Sequence, residues 1–320
     1  MKKVLYLICL SLLLSACNKW GENRTARWLH TDNGTYAADL SQNGEYAAVS
    51  TADGITLWQV NQHLPKYFWR HDPEKSNEVI HVDIASDNSH VITATENQVA
   101  LWNMKTGHNK GFWQVEESRI VDIKIANKGR LMLIGLLNGV VELYNLDTGR
   151  RVRFLGHNER ISRVDLSDNG HFALTGSYDG MALFWDTRSA QVIHSFKHDS
   201  RITQVALDQT GQYAFTANSF KDSNIWRLSD GSQQSQLKYP MRQLIFTSAV
   251  FSNDANILAT GAPNKKIKLW RVKTGELIDE WQYEAEGMGV SILDFAFNED
   301  NSRLISENSF GLAEVWRLQK

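Results

Sequence analysis

The chain has 320 residues, 10% of them aromatic and 22% charged, with four prolines and no low-complexity tract. That is the profile of a globular protein rather than a disordered or fibrous one. Its formal charge of −2, about −4 once Lys2 and Lys3 are removed, argues against non-specific nucleic-acid binding. Two cysteines, Cys9 and Cys17, are too few for a disulfide framework.

In chain order, Lys2 and Lys3 precede the apolar run Val4 to Leu14, which leads into Leu14-Ser15-Ala16-Cys17. An apolar segment of about 11 residues is too short to span a bilayer, for which ~20 are needed, and reads as a secretory signal. The last four residues resemble a bacterial lipobox. The resemblance implies removal of residues 1–16 as a signal peptide and attachment of acyl chains, palmitate among them, to Cys17. Three such chains hold far more firmly than one, which binds only marginally. Cys9 leaves with the signal, so the mature protein has no disulfide although it has left the reducing cytoplasm. In Gram-negative proteins of this kind an Asp after the cysteine favours the inner membrane. Asn18 stands there instead, which points to the periplasmic face of the outer membrane, with the outer face of the inner membrane as the alternative. Residues 17–25 make a short linker, and eight residues at ~3.5 Å each keep the body within ~28 Å of the lipid.

From residue 26 to 320 the sequence repeats. A closing aromatic falls at Trp58, Trp102, Tyr144, Trp185, Trp226, Trp270 and Trp316, at intervals of 44, 42, 41, 41, 44 and 46 residues. An Asn/Asp/Gly turn stands about 15 residues before each, as in Gln42-Asn43-Gly44 and Asn169-Gly170, in the manner of a hairpin between short strands. A second apolar register follows ten or eleven residues after most closing aromatics: Trp69, Trp113, Phe154, Phe196, Leu237 and Trp281. Seven units of this length predict an all-β, seven-bladed propeller of four-stranded antiparallel blades. The seventh unit has only three strands, and Trp28 stands twelve residues before Leu40 as Phe154 stands before Leu166. An N-terminal strand around Trp28 is therefore expected to complete the last blade and close the ring, which removes unpaired edges.

Over about 295 residues the chain resembles the WD-repeat family of propellers. The unit with Gly156-His157 at its start and Trp185-Asp186 at its end carries the resemblance best. By that resemblance His157, Ser177, Asp179 and Trp185 form a hydrogen-bonded structural tetrad, in this blade alone. The repeat tryptophans, with Tyr144 and Trp28, are expected to be structural.

Chemistry is sparse. There is no phosphate-binding glycine loop, no Cys-x-x-Cys and no Gly-x-Ser-x-Gly, so no enzyme and no cofactor is expected. His71, His81 and His90 fit no metal-ligand spacing and read as surface turn histidines, and no metal site is expected. Asp83, Asp122 and Asp165 fall in inner strands of different blades, and Asp168 in a turn, where Asp is favoured for local backbone bonds. Arg119, Arg160, Arg201 and Arg242 recur every 41 residues, each before an innermost strand, and are expected to line one face as an anion-reading arc suited to a partner. The expected function is a non-enzymatic, lipid-anchored interaction scaffold of the bacterial envelope, monomeric by itself, joined to the membrane through Cys17 and to an unidentified envelope protein. A sensor for a small anion or glycan is the alternative, and a propeller enzyme a more distant one.

Overall fold

The structure is a computed structural model, which describes residues 23–239, 245–283 and 289–319. Among these residues the strands form seven four-stranded antiparallel sheets. Six are consecutive in sequence (37–69, 81–114, 120–154, 161–197, 202–236 and 248–282), and each is ordered from its first strand to its fourth. The seventh takes its three inner strands from 292–317 and its outermost from Arg24–Leu29. Ring closure by the N-terminal strand thus holds, with Trp28 opposite Ala313 and Leu29 opposite Leu312. The register repeats in the other blades, where Trp69 faces Ile55, Trp113 faces Val99 and Trp281 faces Ile267.

Each blade begins at the channel and works outward, because four short strands joined by tight turns pair most simply with their sequence neighbours. The first turn of every blade contains a residue with positive φ: Gly44, Asn88, Gly129, Gly170, Gly211, Ala255 and Asn301. Glycine and asparagine enter that region at low cost, which is why these turns are legible in the sequence.

The middle strands are buried on both faces, as in Leu131–Leu136, where all six residues are buried. Apolar clusters lie between consecutive blades rather than in one centre. The cluster between blades five and six, for example, joins Phe215 and Ile225 to Phe246, Leu258 and Trp270. Of the closing aromatics, Trp102, Trp185, Trp270 and Trp316 are buried, while Trp58, Tyr144 and Trp226 are half-buried against a cluster. The closing seam is more polar than the rest. His30, just after the closing strand, stacks on Trp58 at 4.9 Å and meets buried Glu307 at 3.0 Å.

Candidate functional site

In four blades the closing tryptophan is tied to the second strand. The Trp102 indole N–H donates to Thr93 Oγ1 at 2.9 Å, Trp226 to Thr216 at 2.7 Å, Trp270 to Thr260 at 2.8 Å and Trp316 to Ser306 at 3.1 Å. In two of these blades a histidine shares the hydroxyl: His71 Nε2 with Thr93 and His198 Nε2 with Thr216, both at 2.8 Å. In blade four His157 Nε2 bonds Thr175 Oγ1 at 2.8 Å and its Nδ1 lies 3.0 Å from Asp179.

Thr175 therefore occupies the place expected for Ser177. The Ser177 hydroxyl instead donates to the Glu159 carbonyl and accepts from the Asp179 N–H, because it starts the turn rather than facing the strand interior. Trp185 lies flat on Phe154, 4.3 Å away at 3°, and among the described residues its indole N–H makes no hydrogen bond.

The relay also extends beyond the one blade expected. His71 is not a surface turn residue: burial holds its imidazole down at about 4. Burial likewise lowers His157 and His198, so the rings act as neutral hydrogen-bonding links. His81 is a channel-wall residue, also lowered chiefly by burial, whereas His90 sits beside Ser89. The three histidines are not brought together. The signal that would have found the relay is a Thr or Ser nine or ten residues before the tryptophan.

The arginines lie at the end of the propeller where the chain enters each innermost strand. The turn between second and third strands meets them there, with Leu137 N–H on the Arg119 carbonyl, Tyr178 on Arg160 and Ser219 on Arg201, at 2.9 to 3.1 Å. Arg119 pairs with Glu96 at 3.4 Å. The Arg160 and Arg201 guanidiniums both lie over the Tyr178 ring, 4.2 and 5.1 Å from its centre.

Arg242, the fourth of the series, lies outside the described residues. Arg119, Arg160 and Arg201 stand three residues before Asp122, Arg163 and Gln204, which face Gly135, Gly176 and Ala217. The corresponding residue before Ser248, which faces Gly261, is Ile245. Around the same mouth Tyr36, Ile80, Leu137, Phe220, Ile245 and Phe310 are exposed. Aromatic side chains with arginine are the composition of interface hot spots.

Beneath this mouth lies a channel of about 450 Å³. Asp39, Asp83, Asp122, Asp165 and Asp294 line it with Lys124 and Arg163. Each of these carboxylates accepts a backbone N–H from the next blade's inner strand: Asp294 from Leu40 (2.9 Å), Asp39 from Ile84 (2.8 Å), Asp83 from Ile125 (2.7 Å), Asp122 from Val164 (2.9 Å) and Asp165 from Leu207 (2.7 Å). Blade is thus stapled to blade from seven through five.

Lys124 reaches Asp83 at 2.6 Å. Burial opposes its charge, yet Asp83, Asp39, Asp165 and Asp294 hold the ammonium well above its ordinary value. Burial pushes Asp83 and Asp165 upward, and burial, with Asp294 beside it, raises Asp39 well above its ordinary value. Asp294 is pushed up to about 6, again mainly by burial. Asp168 is at the other end of the channel, where its carboxylate accepts from Gln42 at 3.1 Å. With their oxygens spent on backbone donors, the channel carboxylates act as structural fasteners.

Two stretches, residues 149–186 and 242–271, match the family model of the WD domain, G-beta repeat. Each of the two stretches is similar to a WD40 repeat. The first match ends at Asp186, directly after the closing Trp185, and covers the whole His157–Thr175–Asp179 arrangement; the second contains Thr260 and Trp270. No curated protein matches the chain. The two matched stretches and the seven-bladed ring agree in period.

Proposed function

We propose that the protein is a non-enzymatic interaction scaffold, anchored through lipid on Cys17 in the bacterial cell envelope, that takes a protein partner on the face carrying Arg119, Arg160 and Arg201. The observation that carries this reading is that Arg160 and Arg201 both lie over the Tyr178 ring, with Leu137, Phe220 and Ile245 exposed around the same mouth. Two guanidiniums on one aromatic ring, with apolar side chains open to solvent around them, offer bidentate carboxylate pairing and a desolvated centre together. The leader sequence supports the envelope location, with the outer membrane favoured by Asn18.

Crosslinking in intact cells, followed by affinity capture and mass spectrometry, tests the reading. Wild type is expected to retain one stoichiometric envelope protein that a variant carrying Arg160→Glu, Arg201→Glu and Phe220→Ser loses, while the variant keeps its thermal transition. Identical captured sets for the two proteins would move the contact surface off this face.

A further inference from the structure

We infer that the rim formed by the outer strands of blades seven and one lies against the lipid bilayer. The inference rests on the proposed lipidation of Cys17, and it concerns a surface distinct from the arginine face.

Outer strands have a partner on one side only, so their side chains decide what the rim of the ring meets. On the closing strand Arg24–Leu29 the rim shows Leu29, 53% exposed, and on the neighbouring strand Leu64–Trp69 it shows Leu64 at 52% and Phe68 at 56%. Phe112, 47% exposed, continues the arc onto blade two. Two cations stand among them. Lys66 lies over the Tyr46 and Tyr67 rings, 4.7 and 5.6 Å from their centres, and Arg70 lies 5.7 Å over Phe68. Arg70 donates to the backbone carbonyls of Asp53 and Pro73, and among the described residues neither cation is paired with a carboxylate. Long basic side chains beside exposed aromatic and aliphatic ones are the chemistry of the membrane interface, where the apolar parts enter the acyl boundary and the charges meet anionic headgroups.

Blade six, beside blade seven, also exposes Leu277 and Ile278 on its outer strand, but blades three and five differ. Blade three presents Arg151 and Arg153, both paired with Glu117 and Glu142, and blade five presents Gln233 and Gln236. Val192 and Ile193 of blade four are exposed but lie three blades round the ring from blade one.

What selects the bilayer as the occupant is the position of the anchor. Cys17 precedes Arg24, the first residue of the closing strand, by seven residues, a reach of at most ~25 Å. The chain therefore leaves the ring at the same rim that exposes Leu29, Leu64 and Phe68. Resting on this rim, the propeller stands edge-on with its axis along the membrane plane, and the face bearing Arg160 and Arg201 opens sideways to a partner.

The test uses the full acylated chain in vesicles of phosphatidylethanolamine and phosphatidylglycerol. With Cys9 removed and Cys17 acylated, a single new cysteine takes an environment-sensitive fluorophore. At Leu29→Cys and Phe68→Cys, nitroxide-labelled lipid is expected to quench emission about twofold or more, with a shift to shorter wavelength, as interfacial burial requires. At Ile193→Cys and Gln236→Cys emission is expected to stay unchanged. Lys66→Cys gives a second reading on the same strand should Phe68→Cys lose its thermal transition. Equal quenching at all positions, or none at 29, 66 and 68, overturns the rim assignment. Flotation of the unlabelled wild type and of Cys17→Ser separates the two ideas. If the wild type fails to float, the anchor reading falls and the rim with it; if it floats while the rim probes stay unquenched, only the rim assignment falls.

Discussion

Two ways of joining one blade to the next coexist in this ring. From blade seven round to blade five, an inner-strand aspartate takes a backbone N–H of its successor. Between blades five and six and between six and seven no inner-strand aspartate is available; Gln204, Ala206, Ser248 and Val250 line the channel there. Those two seams carry the heaviest aromatic packing instead, with Phe215, Tyr239, Phe246 and Trp270 in one and Trp281, Tyr283, Phe295 and Trp316 in the other. Tyr239 and Tyr283 also satisfy their hydroxyls locally, on Ser223 and on the Val290 carbonyl. The same ring is thus held by a charge-dependent fastening over one arc and by a charge-independent one over the other. The first responds to pH and to the loss of one cation, the second to the loss of volume.

The largest break is expected in the packed arc. Trp270, fully buried, fills the seam and bonds Thr260, and Trp270→Ala should cost about 3–5 kcal/mol, with the same loss at pH 5 and pH 7.5 by denaturant midpoint. In the stapled arc Lys124→Met leaves buried Asp83 facing no cation. The expected loss is on the order of 3 kcal/mol at pH 7.5, and it shrinks at pH 5 as the carboxylates take up protons. A pH-independent loss would show that Lys124 acts by packing alone.

The relay within blades belongs to both arcs and calibrates the comparison. Thr175→Val in blade four and Thr216→Val in blade five each strand a buried histidine and should cost about 1–2 kcal/mol. The smallest effect concerns Asp294. Its folded-state value of about 6 lies above the ~3.9 of an unfolded chain. Its contribution is therefore full below pH ~4 and is lost as pH rises through about 6. Asp294→Asn keeps an acceptor for the Leu40 N–H and removes the charge. It should raise the thermal midpoint slightly at pH 7.5 and flatten the decline in stability between pH 4 and 7; an unchanged pH profile would assign that decline to Asp39 or Asp83.

The repeat was legible because it is written in the least ambiguous residues. A tryptophan must be buried somewhere, and seven closing aromatics at one period leave few folds that can bury them. Trp28 and the three-stranded last unit showed the closure for the same reason. The relay was harder to see, since Thr175, Thr216 and Thr260 look like any strand threonine, and His71 stands farther before its tryptophan than His157 or His198 does. Arg242 illustrates a different limit. Spacing counts residues, whereas position depends on register, and Arg242 falls outside the described residues where register could be read. The channel was beyond sequence reasoning for a topological reason: Leu40 and Asp294, 254 residues apart, become neighbours only when the ring closes.

That closure also fixes an order of events during synthesis. Every other sheet assembles from strands a few residues apart, but Arg24 finds Glu314 across 290 residues. The loop entropy of such a step grows only slowly with length, so its delay comes from the partner's absence: the strand Leu312–Arg317 is among the last to be made. Until then the chain is an open horseshoe with two free sheet edges, one at the first strand and one at the last blade. Two molecules in that state can exchange first strands, each completing the other's final blade with native pairing. Domain-swapped dimers are accordingly the misassembly this architecture is most exposed to.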